Sequence, residues 1–452
     1  MSDNMSTNIP PQPSTEVDLI ICSGWVITME SPDAVLEDHA VVIHQGRIID
    51  ILPCAHINQY KAKETIHRPE HALLPGFVNA HGHSAMTLFR GLADDLALMD
   101  WLNHHIWPAE KSWVDPEFVE HGAELAIVEM IRSGTTTFCD QYFFPETTAL
   151  VAERNHIRCR LNTPVLDFPS AWAESADDYL DKGISLFKQH ENHPLISVSL
   201  GPHAPYTVSD KALERVMETA KKYQCGIHMH VNETAHEVEE ALKQSGIRPI
   251  ERLNNLGLLS PQFQAVHMTQ ITDIEISLLA NSGAHVVHCP ESNLKLASGL
   301  CPVHQLQEEG INVALGTDGA ASNNDLDMIS ELRTASLVAK LVDHNPTALP
   351  AYEALKLATI NGAKALGLAD DIGSICTGKS ADLISIDLSA PELQPLYNPV
   401  SQIVFSAGRE NITDTWVAGK QLMNQRQLNF INENDTFTFA KSWQAKIAAF
   451  KY

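Results

Sequence analysis

No run of apolar residues in this chain reaches the ~18 that a membrane-spanning helix needs, so a spanning helix is not expected. Basic residues are scarce: 31 Lys and Arg stand against 56 Asp and Glu, a formal net charge of -25. That balance repels phosphate backbones and makes nucleic acid a poor partner, whereas a small neutral or mildly polar molecule fits. Paired cysteines are missing too. The eight cysteines, at 22, 54, 139, 159, 225, 289, 301 and 376, form no Cys-x-x-Cys and keep no regular spacing. Disulfide frameworks belong to short secreted chains, so buried reduced thiols in a cytoplasmic protein are expected, as at Cys139 inside an apolar run. Residues 1–17 hold no apolar signal-peptide core and are rich in Ser, Asn and Pro, which reads as a disordered tail. Beyond that tail there is no sequence repeat or low-complexity tract.

What is present fits one large domain with a satellite, given 452 residues. Asp18 to Glu30 and Ala40 to Leu52 alternate and are rich in β-branched residues, and Gln45-Gly46 supplies a turn. Similar strands return at Ala381 to Ile386 and Thr415 to Lys420. Both chain ends are therefore expected to form one small β-sandwich, from residues 18–72 and 371–430, with residues 431–452 a helical segment. Between them, over residues 73–370, strand-like and helical stretches alternate. Candidate strands are Gly76 to His83, Thr135 to Asp140, Cys159 to Leu166, Ile196 to Leu200, Gly226 to Val231, Gln264 to His267, Ala284 to His288 and Asn312 to Gly316. One helix carries Asp115 as N-cap, Pro116 at its first position and Gly134 as terminator, and another starts at Ser209 and runs to about Gln224. Eight successive βα units imply an α/β fold, a closed (β/α)8 TIM-like barrel inserted in the sandwich, with its chemistry at the C-terminal ends of the strands.

Four segments end strands 1, 5, 6 and 8 on this count: His81-Gly82-His83, His230-Val231-Asn232-Glu233, His267 and Gly316-Thr317-Asp318. Three imidazoles and a carboxylate on separate strand ends suit a catalytic transition metal with room left for water. Residues two apart on a strand share a face, so His81 and His83 can serve one ion. His228 and His230 repeat that spacing, and parity does not say which is the ligand. Asp318, followed by Gly319, could instead cap a loop, and Glu233 could be a solvated first-turn residue. A carboxylate beside a bound ion but not ligating it can move protons, which gives Glu233 a catalytic role.

These residues resemble the amidohydrolase superfamily, and within it the 5-methylthioadenosine/S-adenosylhomocysteine deaminase branch. The likeness runs from about Asp18 to Ala418. It rests on Leu74-Pro75-Gly76-Phe77-Val78-Asn79-Ala80-His81-Gly82-His83, Gly201-Pro202-His203-Ala204-Pro205-Tyr206, His230 to Thr234, Ser292-Asn293-Leu294-Lys295-Leu296, Leu315 to Ala320 and Gly378-Lys379-Ser380-Ala381-Asp382-Leu383. The resemblance implies that His81, His83, His230 and Asp318 bind the metal, which selects His230 over His228. It implies that Glu233, His267 and Asp318 are catalytic, that His203 approaches the purine, that Trp101 lines the pocket, that Glu110 accepts the ribose hydroxyls and that Glu233 also touches the substrate.

Two absences sharpen the expectation. Binuclear relatives carry a bridging modified lysine at the end of strand 4, where this chain has Gly201-Pro202-His203, so one divalent ion per subunit is expected: zinc, with iron(II) or manganese(II) also suited to the ligand set. Relatives that accept S-adenosylhomocysteine carry an arginine near the end of strand 3. Here the aligned residue is Thr163, and no arginine occurs between Arg160 and Arg215, which favours 5'-methylthioadenosine. The expected activity is hydrolytic deamination of an adenosine-type nucleoside in the cytoplasm by a homo-oligomer, with no membrane partner. The alternatives are hydrolysis of a free heterocycle such as guanine, cytosine or a triazine, and a binding protein with a structural metal. A structural site would leave no acid free beside the ion, against the presence of Glu233 and His267.

Overall fold

A computed structural model describes residues 15–32 and 35–449. Most of the expected tail lies outside the described residues, but Thr15, Glu16 and Val17 are already in a strand, opposite Tyr60, Lys61 and Ala62.

The inserted domain is the expected barrel. Its eight parallel strands are Phe77–Asn79, Thr135–Asp140, Arg158–Val165, Ile196–Pro202, Ile227–Val231, Phe263–His267, His285–His288 and Val313–Leu315, hydrogen-bonded in sequence order. They are called barrel strands 1 to 8 below. The ring closes past the last strand: Ala80 N–H donates to Leu315 O at 2.9 Å and Asp318 N–H donates to His81 O at 3.1 Å. Strands covered by helices outside and filled by side chains inside are apolar on both faces, which is why they read as short unbroken hydrophobic runs. The largest core groups, Phe77, Phe138, Phe263 and Tyr179, are fully buried between strands and helices.

Local chemistry sets the helix bounds. The Asp115 carboxylate accepts from Phe118 N–H at 2.8 Å and opens the helix Pro116–Arg132, and Gly134 ends the connection at φ +83°. The helix expected from Ser209 spans Asp210–Tyr223. The last helix, Glu433–Ala448, packs on Pro116–Arg132: the Trp443 indole N–H donates to His121 Nδ1 at 3.0 Å, and Phe439 stacks on the His121 ring.

The small domain draws on both chain ends in one hydrogen-bonded sheet of eight strands. It curls on itself: Ala381 N–H donates to Gly46 O at 2.9 Å, and Trp416 and Leu383 share a core with Leu19, Ile43 and Ile48. One long strand, Tyr60–Pro75, was not expected from the sequence. It runs parallel to Thr15–Ile27 in mid-sheet, and its charged Lys61-Ala62-Lys63-Glu64 stretch hides it. Pro69 sits where the register slips between Ser23 and Trp25, a bulge that needs no N–H from it. None of the eight cysteines is in a disulfide, and among the described residues no helix is long and apolar enough to cross a membrane.

Candidate active site

Barrel strand 1 ends at Asn79, and the two following histidines turn into the barrel mouth. Gly316 lets the eighth strand close against them, because a Cβ there would lie 2.7 Å from the His81 backbone nitrogen. Asn79 and Thr317 lock this seam by a pair of hydrogen bonds, 2.8 and 3.0 Å long.

The nitrogens and oxygens meet at one point. His81 Nε2 and His83 Nε2 lie 3.3 and 3.2 Å from Asp318 Oδ1, and His230 Nε2 lies 3.2 Å from His81 Nε2. His267 joins the same cluster, its ligand atom within 4.8 Å of those of His81 and His230. The far side of each ring is anchored. Nδ1–H of His83 donates to Gln141 O at 2.6 Å, that of His230 to His203 O at 2.7 Å and that of His267 to Asn293 Oδ1 at 2.9 Å. His81 Nδ1 lies 2.8 Å from His228 Nε2. With Nδ1 anchored, the Nε2 of each ring is turned to the cluster, the arrangement found around metal ions. The donor set therefore fits a divalent transition metal. His228 sits one layer deeper in the barrel, so both histidines of that strand face inward and the shallower one reaches the cluster.

Asp318 is tied on both oxygens. Oδ2 accepts from Ser292 Oγ at 2.7 Å and Ser322 Oγ at 3.1 Å, and Oδ1 accepts from Gly319 N–H at 2.8 Å. Burial alone would raise its pKa, but the His81 and His83 imidazoles outweigh that and hold it well below the carboxylate range. The same contacts divide the histidines. Burial takes His81 down to about 4, whereas on His83 the Asp318 carboxylate overcomes burial and pushes it up to about 9. Burial also takes His203 down to about 4, so its ring is neutral near pH 7.

Glu233 stands beside the cluster with Oε2 3.7 Å from His267 Nε2, and burial raises its pKa. Asn232, His267, Met268 and Asp318 all have positive φ, of 51, 74, 51 and 62°. Strained non-glycine backbone concentrated in one place is a mark of a functional site.

A cavity of about 650 Å³ opens over the cluster. Every residue expected at the site lines it except His81, which is fully buried beneath: His83, His203, His230, Glu233, His267 and Asp318 at the floor, Trp101 and Glu110 on the wall. Trp101 ends the short helix Leu98–Trp101 and Glu110 lies on Trp107–Trp113. Burial raises Glu110 to about 7, with Tyr142 and His83 pulling the other way.

Thr163 is a correction. It does not reach the cavity: its hydroxyl donates to Ser199 O at 3.2 Å, and it packs under Gly183 of the helix Ala176–His190 outside the barrel. Its alternation partners Pro164 and Leu166 line the cavity instead, with Phe168 beyond. No arginine lines the cavity, and Lys111 is its one ammonium among the described residues.

The sequence reading also missed Glu237. Its carboxylate accepts from Asn232 N–H at 3.0 Å and Glu233 N–H at 2.7 Å, while its own N–H donates to Thr234 Oγ1 at 3.2 Å. Thr234-x-x-Glu237 is a recognisable helix-start pattern and could have been found by that signal. Asn293 lay within the Ser292 to Leu296 motif without a role assigned to it, and Gln141 left no signal because it meets His83 through its backbone oxygen.

A barrel of this order with histidines and an aspartate at strands 1, 5, 6 and 8 defines a metal-centred hydrolase fold, and residues 72–422 match the Amidohydrolase family, to which the chain belongs. It is 46% identical over 437 residues, covering 96% of this chain and 99% of the relative, to a protein of Teredinibacter turnerae named 5-methylthioadenosine/S-adenosylhomocysteine deaminase. A protein of the same name from Saccharophagus degradans is 48% identical over 436 residues, covering 96% and 98%. Among solved structures, an adenosine deaminase from Xanthomonas campestris with bound zinc superposes with a TM-score of 0.96 at 48% identity, covering 97% of this chain and 100% of that one.

Proposed function

We propose that the chain is a hydrolytic deaminase of an adenosine-type nucleoside, 5'-methylthioadenosine before S-adenosylhomocysteine or adenosine, that works with one zinc ion per subunit. The observation that carries this reading is Glu233: a buried acid within 3.7 Å of His267, beside the donor cluster but outside it, at the floor of a largely apolar cavity. The names of the relatives above and the zinc in the Xanthomonas structure support it.

His81, His83, His230 and Asp318 would hold the ion. A divalent metal supplies Lewis acidity, which makes water a competent nucleophile at neutral pH. Asp318 takes a proton from the attacking water, and Ser292 and Ser322 keep its carboxylate in place while it does so. His267, fixed by Asn293, orients the water and stabilises the developing charge on its oxygen. Glu233 protonates the ring nitrogen next to the carbon under attack, a task suited to an acid whose pKa burial has raised. Water adds to that carbon, the amine leaves as ammonia after gaining a proton, and the inosine-type product remains. His203 and Trp101 contact the purine, and Glu110 accepts the ribose hydroxyls.

Leu166, Phe168 and other apolar groups line the cavity and no arginine does, a lining suited to the 5' side of such a nucleoside. An apolar methylthio group is stabilised there, whereas an amino-acid carboxylate would lack a bidentate partner. Incubation with adenosine, 5'-methylthioadenosine, S-adenosylhomocysteine, guanine and cytosine tests the reading. Ammonia release and the adenine-to-hypoxanthine absorbance change are expected with the nucleosides, 5'-methylthioadenosine fastest. Faster turnover of guanine or cytosine would reject it.

A further inference from the structure

At the base of the barrel, below the starts of strands 3 to 6, lies a second cavity of about 310 Å³ that shares no residue with the first. Arg160 of barrel strand 3 reaches into it. Its Nε donates to Ser197 Oγ at 3.2 Å, and its Nη1 lies close to the Gly226 backbone, 3.4 Å from where a Cβ would stand. Burial lowers the pKa of this guanidinium, and the groups that act in its favour are only the thiols of Cys139 and Cys225; among the described residues no carboxylate pairs with it. The side chain is only partly buried and its bond to Ser197 uses Nε alone, which leaves the rest of its donor fork for an anion in the recess, in a chain whose net charge is -25.

A second polar side chain lines the same space. His190 lines the cavity and is 9% exposed, and its Nδ1 is buried with no hydrogen-bond partner among the described residues. Burial and the neighbouring His193 hold its pKa below that of ordinary histidine, so the ring is a neutral donor. Lys364 stands exposed at the rim and adds a second positive charge, opposed there by one exposed acid, Glu191. Phe187 and Leu366 give the recess an apolar wall.

We propose that this cavity binds a small oxyanion carried on a compact apolar body, with Arg160 and His190 as donors to the anion and Phe187 and Leu366 as the wall against the body. A planar fork matches carboxylate and phosphate alike, so the anion class is shared and the probes must separate its sources. The volume leaves room for more than the anion. The proposal does not depend on what the upper cavity hydrolyses.

Calorimetric titration of the full chain with phenyl phosphate, benzoate and inorganic phosphate tests it. Phenyl phosphate or benzoate should bind in the millimolar range or tighter, and inorganic phosphate more weakly. Arg160→Gln should weaken the better probe about tenfold, the loss of one charge-assisted pair. Lys364→Ala, a rim change that leaves folding untouched, should weaken it about two- to fivefold, and Glu191→Gln should strengthen it slightly. Absence of binding by all three probes at tens of millimolar would overturn the proposal. So would equal affinity of wild type, Arg160→Gln and Lys364→Ala, and so would inorganic phosphate binding as well as phenyl phosphate, which would remove the apolar body.

Discussion

The Glu233 backbone N–H donates to the Glu237 carboxylate at 2.7 Å, so one buried acid holds the position of another. The second acceptor oxygen takes the Asn232 N–H and fixes that residue at φ 51°. Glu237→Ala should release this turn and lower kcat about 10- to 100-fold with little change in KM or metal content, because it misplaces a proton donor without touching substrate. Glu237→Gln keeps one acceptor and should recover much of the rate. Burial raises Glu237 to about 8 from an ordinary 4.5, so its contribution to stability is complete below pH 4.5 and is lost as the pH climbs through 8. Thermal melts of metal-free protein should fall over that window, and Glu237→Gln should flatten the fall. A Glu237→Ala protein with unchanged kcat would contradict the positioning role.

Glu233→Gln should retain the metal and the substrate affinity and lose about 10²- to 10⁴-fold in kcat. Metal analysis beside steady-state rates separates the two effects. A near-normal rate with full metal occupancy would remove Glu233 from the proton path.

In the proposed reading Glu110 would accept hydrogen bonds from the ribose hydroxyls, which requires it as a carboxylate. Burial sets its pKa at about 7, so ionisation is incomplete below neutrality and KM for a nucleoside should drop as the pH rises through 7. Glu110→Gln should raise that KM about tenfold and abolish its pH dependence near 7, leaving a free base unaffected. A pH-independent wild-type KM would argue that the ribose binds elsewhere.

Lys111 is the one ammonium at the cavity wall among the described residues. Any remaining activity on S-adenosylhomocysteine should lean on it, so Lys111→Ala should reduce kcat/KM for that substrate about two- to fivefold and leave 5'-methylthioadenosine alone. Equal losses for both would point to a packing role.

Much of this was legible before any coordinates. All eight barrel strands stood out because a strand buried on both faces reads as a short apolar run, and the residues that cluster at the barrel mouth stood out as polar groups at the ends of such strands. Parity could not choose between His228 and His230, since both point inward and only depth separates them. The aligned position misled at Thr163, because strand alternation turns Pro164 and Leu166 to the cavity and Thr163 to the surrounding helix. The strand Tyr60–Pro75 was hidden by its charges, which are tolerated because much of it is exposed. Asn293 and Gln141 meet rings far away in sequence, which no local pattern reveals, whereas Glu237 holds backbone groups four and five residues before it and left a helix-start signal.

The central claim is a single metal ion serving hydrolytic deamination. Zinc should be removed with a chelator and titrated back while 5'-methylthioadenosine conversion is followed. The account predicts negligible activity without metal and a linear rise that stops at one equivalent per chain; full activity in the stripped protein, or a rise that continues to two equivalents, would contradict it.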